Sequence, residues 1–173
     1  ESKLPLCIHM GMSYPPFEKL CLSIQDANMI GKAMPAQLAF VALVGHGMLD
    51  RYPDLRIAFL EFGGEWIFYS VGRMNHYVEV NRRRMADPTM LPRNMIEEYL
   101  QSGRLFVGVE ANDKMLADEL KLLGDGQILY SSDFPHGEGR DDAAIEIIQR
   151  IDITDDQKRK ILYNNAVSLY GEP

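Results

Sequence analysis

Four short, almost purely apolar runs constrain this chain most: Leu4–Ile8, Arg56–Leu60, Leu105–Val109 and Ile128–Tyr130. Each is short enough for a strand, and each is followed by a longer stretch with helical spacing. Strands that lack a polar face are covered on both sides, and their alternation with helices predicts a parallel sheet with helices packed on it. The crossovers should be right-handed. The pattern makes an α/β chain of the parallel (βα)4 kind, spanning residues 1–173 as a single unit. That is roughly half of an eight-stranded barrel, for which about 250 residues are typical. Periodicity alone fits an open four-stranded sheet equally well.

The stretch from Pro35 to about Asp50 is apolar nearly all round and predicts a buried helix with Leu38, Val41, Ala42, Gly45 and Leu49 as one stripe, broadened by Phe40, Leu43 and Val44. Tyr52-Pro53-Asp54 ends it. Gly63-Gly64 opens a long helix to about Arg84, with Ile67, Val71, Met74 and Val78 inward. Asn94–Gln101 is a shorter helix, and Lys114–Leu123 turns Leu116, Leu120 and Leu123 to the core. Asp141–Arg150 is helical, and Thr154-Asp155-Asp156-Gln157 is a capping-box start to the last helix. Between Ser13 and Ile30, Pro15-Pro16 and mixed polarity predict an irregular loop.

A net charge of −7 and a pI near 5.1 argue against nucleic acid or an anionic membrane as partner. No run is long enough to span a bilayer. Cys7 and Cys21 are too few for a disulfide framework, so Cys7 is expected to be a buried free thiol in a reducing, cytoplasmic setting. The chain begins at Glu1 almost on its first strand, from which we expect it to belong to a larger barrel.

In a parallel α/β protein, the loops after the strands' carboxyl ends carry the chemistry. The residues at those ends are His9, Glu61, Glu110 and Asp133, and a parallel sheet brings all four to one side. Imidazole and carboxylate together are the ligand set for zinc and similar divalent ions. The alternative is four separate caps or ion pairs. Asp133 is followed by Pro135 and His136, and His136 is read either as a residue orienting the Asp or as part of the loop. His46, near a helix end, and His76, within the long helix, are read as structural. Gly63-Gly64 is either an anion cradle or a tight turn, and Arg82-Arg83-Arg84 is a solvated helix end.

Several segments resemble one family. They are His9-x-Gly11 after an apolar strand, Gly45-His46-Gly47 with Arg51-Tyr52-Pro53-Asp54-Leu55-Arg56, Leu129-Tyr130-Ser131-Ser132-Asp133-Phe134-Pro135-His136, and the close at Asn164-Asn165-Ala166 with Leu169-Tyr170-Gly171. In this order they are similar to the amidohydrolase-related family of metal-dependent hydrolases and decarboxylases, whose members act on aminocarboxymuconate semialdehyde and hydroxylated benzoates. The resemblance implies the second half of a (β/α)8 barrel with a divalent metal, zinc by expectation, at the strand ends. It implies His9 and Asp133 as metal ligands and Asp133, Glu61 and His136 as catalytic residues. It further implies a small carboxylated or carbonyl substrate, and pairing with a second copy or a missing N-terminal half.

Two departures stand out. The family's His-x-His pair is absent, since the histidines are His9, His46, His76 and His136 alone. Where the family commonly carries a catalytic His, this sequence has Glu61, as a branch of the family does. A Glu serves as a general acid or base when its surroundings tune it. The competing reading is a non-catalytic α/β module that keeps the scaffold only.

Overall fold

The computed structural model describes residues 4–11, 19–31, 33–136 and 139–172. Its strands are β1 (Leu6–His9), β2 (Ile57–Leu60), β3 (Leu105–Val109) and β4 (Ile128–Tyr130). They form one sheet in the order β1-β2-β3-β4, every pair parallel. Sequential order without a reversal separates this sheet from a doubly wound one, which reverses at its switch point. With right-handed crossovers, each added strand places its helix on the same face, as in a barrel.

The helices are α1 (Ile24–Asp26), α2 (Ala33–Leu43), α3 (Met48–Arg51), α4 (Trp66–Arg82), α5 (Ile96–Leu100), α6 (Leu116–Leu123), α7 (Ala143–Gln149), α8 (Asp155–Arg159) and α9 (Asn165–Tyr170). A π-helical turn, Lys160–Asn164, joins the last two. Among the described residues no helix is long and apolar enough to cross a membrane.

The period-2 alternation of the strands divides the core. Ile57, Phe59, Leu105, Val107 and Ile128 face the helices in the main cluster. Ala58, Phe106 and Leu129 face the other way, where Leu169 of α9 packs on them. The apolar inner face is therefore covered at the strands' amino ends. Asn165 holds the seal: its Nδ2 donates to the carbonyls of Asp125 at 2.8 Å and Ile128 at 2.7 Å. The Ile128 carbonyl points off the unpaired side of β4, since the neighbouring Gln127 carbonyl is the one that accepts from β3, at Val107 N.

Three expectations change. The Pro35–Asp50 helix is two pieces, α2 and α3, broken around Gly47, whose φ of +64° suits glycine. Its buried stripe runs through Ala36, Phe40, Val44 and Leu49, while Leu38 and Val41 are exposed. Phe40 sets that phase by packing edge-on against Phe59 and Trp66, at centroid distances of 5.9 and 5.5 Å. Cys7 is exposed, because β1 is an edge strand of the sheet; its thiol lies 3.7 Å from the Tyr170 hydroxyl. Part of the Ser13–Ile30 loop lies outside the described residues. Its later part holds α1, capped by Ser23 and Asp26.

The long helix follows expectation, with Ile67, Val71 and Met74 buried. So do α6, which buries Leu116, Leu120 and Leu123, and the Thr154 capping box with Gln157.

Candidate active site

The four strand ends open on one mouth. Its wall includes Met10, Glu61, Gly108, Glu110, Ser132, Asp133 and Arg140. His9 ends β1 beside Leu60, and its Nε2 lies 3.3 Å from Glu61 Oε2. Its Nδ1 donates to the Met10 carbonyl at 2.8 Å. The neutral ring therefore turns its Nε2 lone pair toward Glu61, a contact favourable only with a proton or cation between them.

Asp133 sits at the end of β4, and His136 Nδ1 donates to its Oδ1 at 2.6 Å. The loop doubles back to make this contact. His136 N donates to the Asp133 carbonyl at 2.8 Å, Gly139 N to the His136 carbonyl at 2.9 Å and Arg140 N to the Ser132 carbonyl at 2.8 Å. Gly139 passes so close that a Cβ would overlap the Asp133 carbonyl oxygen. Gly108 plays a similar part inside β3, where a Cβ would come within 3.3 Å of the Leu60 backbone.

Glu61 and Asp133 share a rarer feature. Their φ values are +64° and +51°, in the left-handed region that non-glycine residues seldom enter. Each such residue costs about 1–3 kcal/mol and persists where the surroundings over-determine it, commonly at functional sites. Here it turns both carboxylates into the mouth. Donor atoms of Glu61, Asp133 and His136 lie within 4.8 Å of one another. His9 touches Glu61 but is not among the donors that lie within 4.8 Å of one another, and Glu110 borders the same mouth.

The other sequence candidates separate from the site. His46 Nδ1 donates to the Val41 carbonyl at 2.9 Å and so closes α2. His76 is exposed and lies edge-on to Tyr77. Gly63-Gly64 is no anion cradle: a Cβ on Gly64 would overlap the Glu119 carboxylate, so the pair is packed against an acid. Sequence reasoning missed Arg140, which reaches the mouth but is already paired with Asp142 at 3.1 Å and Glu146 at 2.6 Å. No local spacing announces it. Gly139 carried a legible signal, as a glycine soon after the site Asp.

With the geometry in hand, comparison with known proteins decides the lineage. A family model described as amidohydrolase matches residues 1–171. The chain belongs to the amidohydrolase family. Among curated proteins, the gamma-resorcylate decarboxylase of a Polaromonas species (strain JS666) is 28% identical over 128 residues, or 74% of this chain and 38% of that protein. A 5-carboxyvanillate decarboxylase from Novosphingobium aromaticivorans, crystallised with manganese and 4-hydroxy-3-methoxy-5-nitrobenzoic acid, superposes with a TM-score of 0.78 at 23% identity. That match covers 95% of this chain and 47% of the other. A dihydroxybenzoic acid decarboxylase from Polaromonas sp. JS666, holding manganese and 2-nitroresorcinol, gives 0.72 at 24% identity, over 96% of this chain and 49% of that one. This amidohydrolase-family chain thus spans less than half the length of these relatives. At such identities the structural likeness speaks for the fold: a parallel (βα)4 sheet that matches half of a larger α/β protein.

Proposed function

We propose that this amidohydrolase-family chain is the C-terminal half of a metal-dependent enzyme that removes carbon dioxide from a small aromatic carboxylate. The convergence of Glu61, Asp133 and His136 within 4.8 Å carries the reading, with His9 alongside. Decarboxylation is favoured over hydrolysis because both the curated relative and the manganese-containing structures are named decarboxylases.

The donor set fits a divalent ion. Asp133 offers a carboxylate kept in place by His136, and His9 offers an Nε2 lone pair whose tautomer the Met10 carbonyl fixes. Mixed imidazole and carboxylate ligands suit zinc, the sequence expectation, and equally manganese. When bound, the ion supplies Lewis-acid polarisation of a substrate oxygen. Asp133 and His9 orient that oxygen, and the acidic wall is offset by the ion's charge. Glu61 Oε2 stands at the mouth to give or take a proton at the carbon that loses carbon dioxide. His136, donating to Asp133, fixes the direction of that carboxylate.

We read the chain as one (βα)4 unit that completes a barrel with a second half or a second copy, since β1 presents an open edge. The free thiols of Cys7 and Cys21 support a reducing, cytoplasmic setting. A non-catalytic module is the second reading, favoured by the absence of a His-x-His pair. Calorimetric titration with manganese and zinc, together with carbon dioxide release from dihydroxybenzoate, tests the proposal. Metal affinity that drops in both Asp133→Asn and His9→Ala supports it. Affinity that ignores both substitutions removes the site.

A further inference from the structure

A second group of acids lies outside the mouth. Donor oxygens of Glu65, Asp113 and Glu119 fall within 4.8 Å of one another, beside a solvent-open hollow that shares Gly63 and Glu110 with the mouth's wall. Three acids near each other are no site by themselves. What sets these apart is Glu119, which is fully buried on α6 and whose oxygens meet no N–H or O–H donor, the one side chain within hydrogen-bond reach being another acid, Asp113. Asp113 is 5% exposed, and its Oδ2 is likewise unpartnered.

An orphaned buried carboxylate is expensive, and cores do not retain one without a compensating positive group or proton. The nearby guanidinium does not supply it through hydrogen bonds. Arg150 spends its donors on the carbonyls of Ala111 and Asp113 and on the Asp152 carboxylate. The backbone has also been shaped to admit Glu119. Its carboxylate lies against Gly64 in the turn after β2, and any Cβ there would overlap it.

We infer that Glu65, Asp113 and Glu119 bind a hard divalent cation of the calcium type, at a site separate from the strand-end mouth. The ligand set is all oxygen, which favours calcium, magnesium or manganese over zinc or copper. Oxygens held at calcium's ~2.3–2.6 Å lie up to about 5 Å apart across the ion, which accommodates the observed spacing. Exposed Glu65 gives the ion a way in from solvent, while buried Asp113 and Glu119 anchor it. Bound there, the cation ties the loop after β2 to the loop after β3 and to α6.

The alternative is a proton shared between Glu119 and Asp113. Trp66, the sole tryptophan, separates the two because it directly follows Glu65 in the chain. Terbium, a luminescent stand-in for calcium, is added to the purified chain, and tryptophan-sensitised emission is recorded with and without calcium. We expect emission that calcium displaces, with terbium binding weakened by roughly tenfold or more in Glu65→Gln and Glu119→Gln. Glu65 is exposed, so its variant folds irrespective of how Glu119→Gln behaves. Asp133→Asn, at the mouth, should leave the emission in place. Absence of sensitised emission, emission unchanged in Glu65→Gln, or emission lost only in Asp133→Asn would each overturn the assignment.

Discussion

His136 Nδ1 lies 2.6 Å from Asp133 Oδ1, three residues away on the same loop, so the imidazole grips one carboxylate oxygen from its own turn. Asp133 is a quarter as exposed as its partner, with side-chain exposures of 19% and 73%. The outer residue therefore positions the inner one. Replacing His136 with Ala should weaken manganese binding by about 10–100-fold, the usual effect of losing a partner that orients a metal ligand. Asparagine at 136 keeps a donor and should restore part of it. Equal affinities in the parent and both variants would show that Asp133 needs no such support.

Glu61 carries opposing demands. Its φ of +64° is natural for glycine, and its contact with half-exposed His9 adds little stability. Glu61→Gly should therefore stabilise the fold by about 1–2 kcal/mol while abolishing proton transfer at the mouth. Thermal melting and carbon dioxide release, run side by side, report the two effects. A lower melting temperature in the variant would contradict the strain assignment.

Gly139 is the tightest point of the site loop, because a Cβ there would overlap the Asp133 carbonyl oxygen, a backbone atom that cannot step aside alone. Gly139→Ala should displace Asp133 and reduce metal affinity with little change in overall stability. A variant that titrates like the parent would mean the loop has slack.

Asn165 joins the final helices to β4 through two carbonyls, and it is 3% exposed. Asn165→Ala leaves both carbonyls buried without that donor and should cost about 1–3 kcal/mol. Denaturant titration gives the value directly. A cost near zero would assign the seal to Leu169 alone.

Burial, and then the charge of Asp113, push the Glu119 carboxyl up to about 9 from its ordinary 4.5. A folded value raised above the unfolded one favours the fold most below pH 4.5, and that advantage is lost as pH rises through about 9. Glu119→Gln removes this dependence. In buffer stripped of divalent cations it should melt higher than the parent at pH 8, with the gap closing toward pH 5. A gap that stays constant with pH would place the proton elsewhere.

Much of the frame was legible because each strand is a continuous apolar run. Leu105–Val109 and Ile128–Tyr130 coincide with β3 and β4 to the residue. That Glu61, Glu110 and Asp133 line one mouth, with His9 beside Glu61, follows from strands that run parallel. Other features depend on contacts no local pattern encodes. The phase of α2 is set by Phe40 meeting Phe59 and Trp66, residues well separated in sequence. In a stretch that is apolar nearly all round, the stripe through Leu38 and Val41 was no better marked than the one through Phe40 and Val44 that is buried. Nothing in the spacing of Lys114–Leu123 marks Glu119 as buried; its carboxylate is covered by the close approach of Gly64, far away in sequence. Cys7 read as core because an apolar run does not say whether its strand has neighbours on both sides.

The sheet keeps its fastening and its chemistry at opposite ends. Asn165 and Leu169 clasp the strands where they begin, and His9, Glu61 and Asp133 stand where they finish. Substitutions in the two regions share few contacts and should combine almost additively. That separation lets substitutions after β4 alter the mouth without endangering the clasp. One scaffold can then change what its mouth accepts while its melting point holds still.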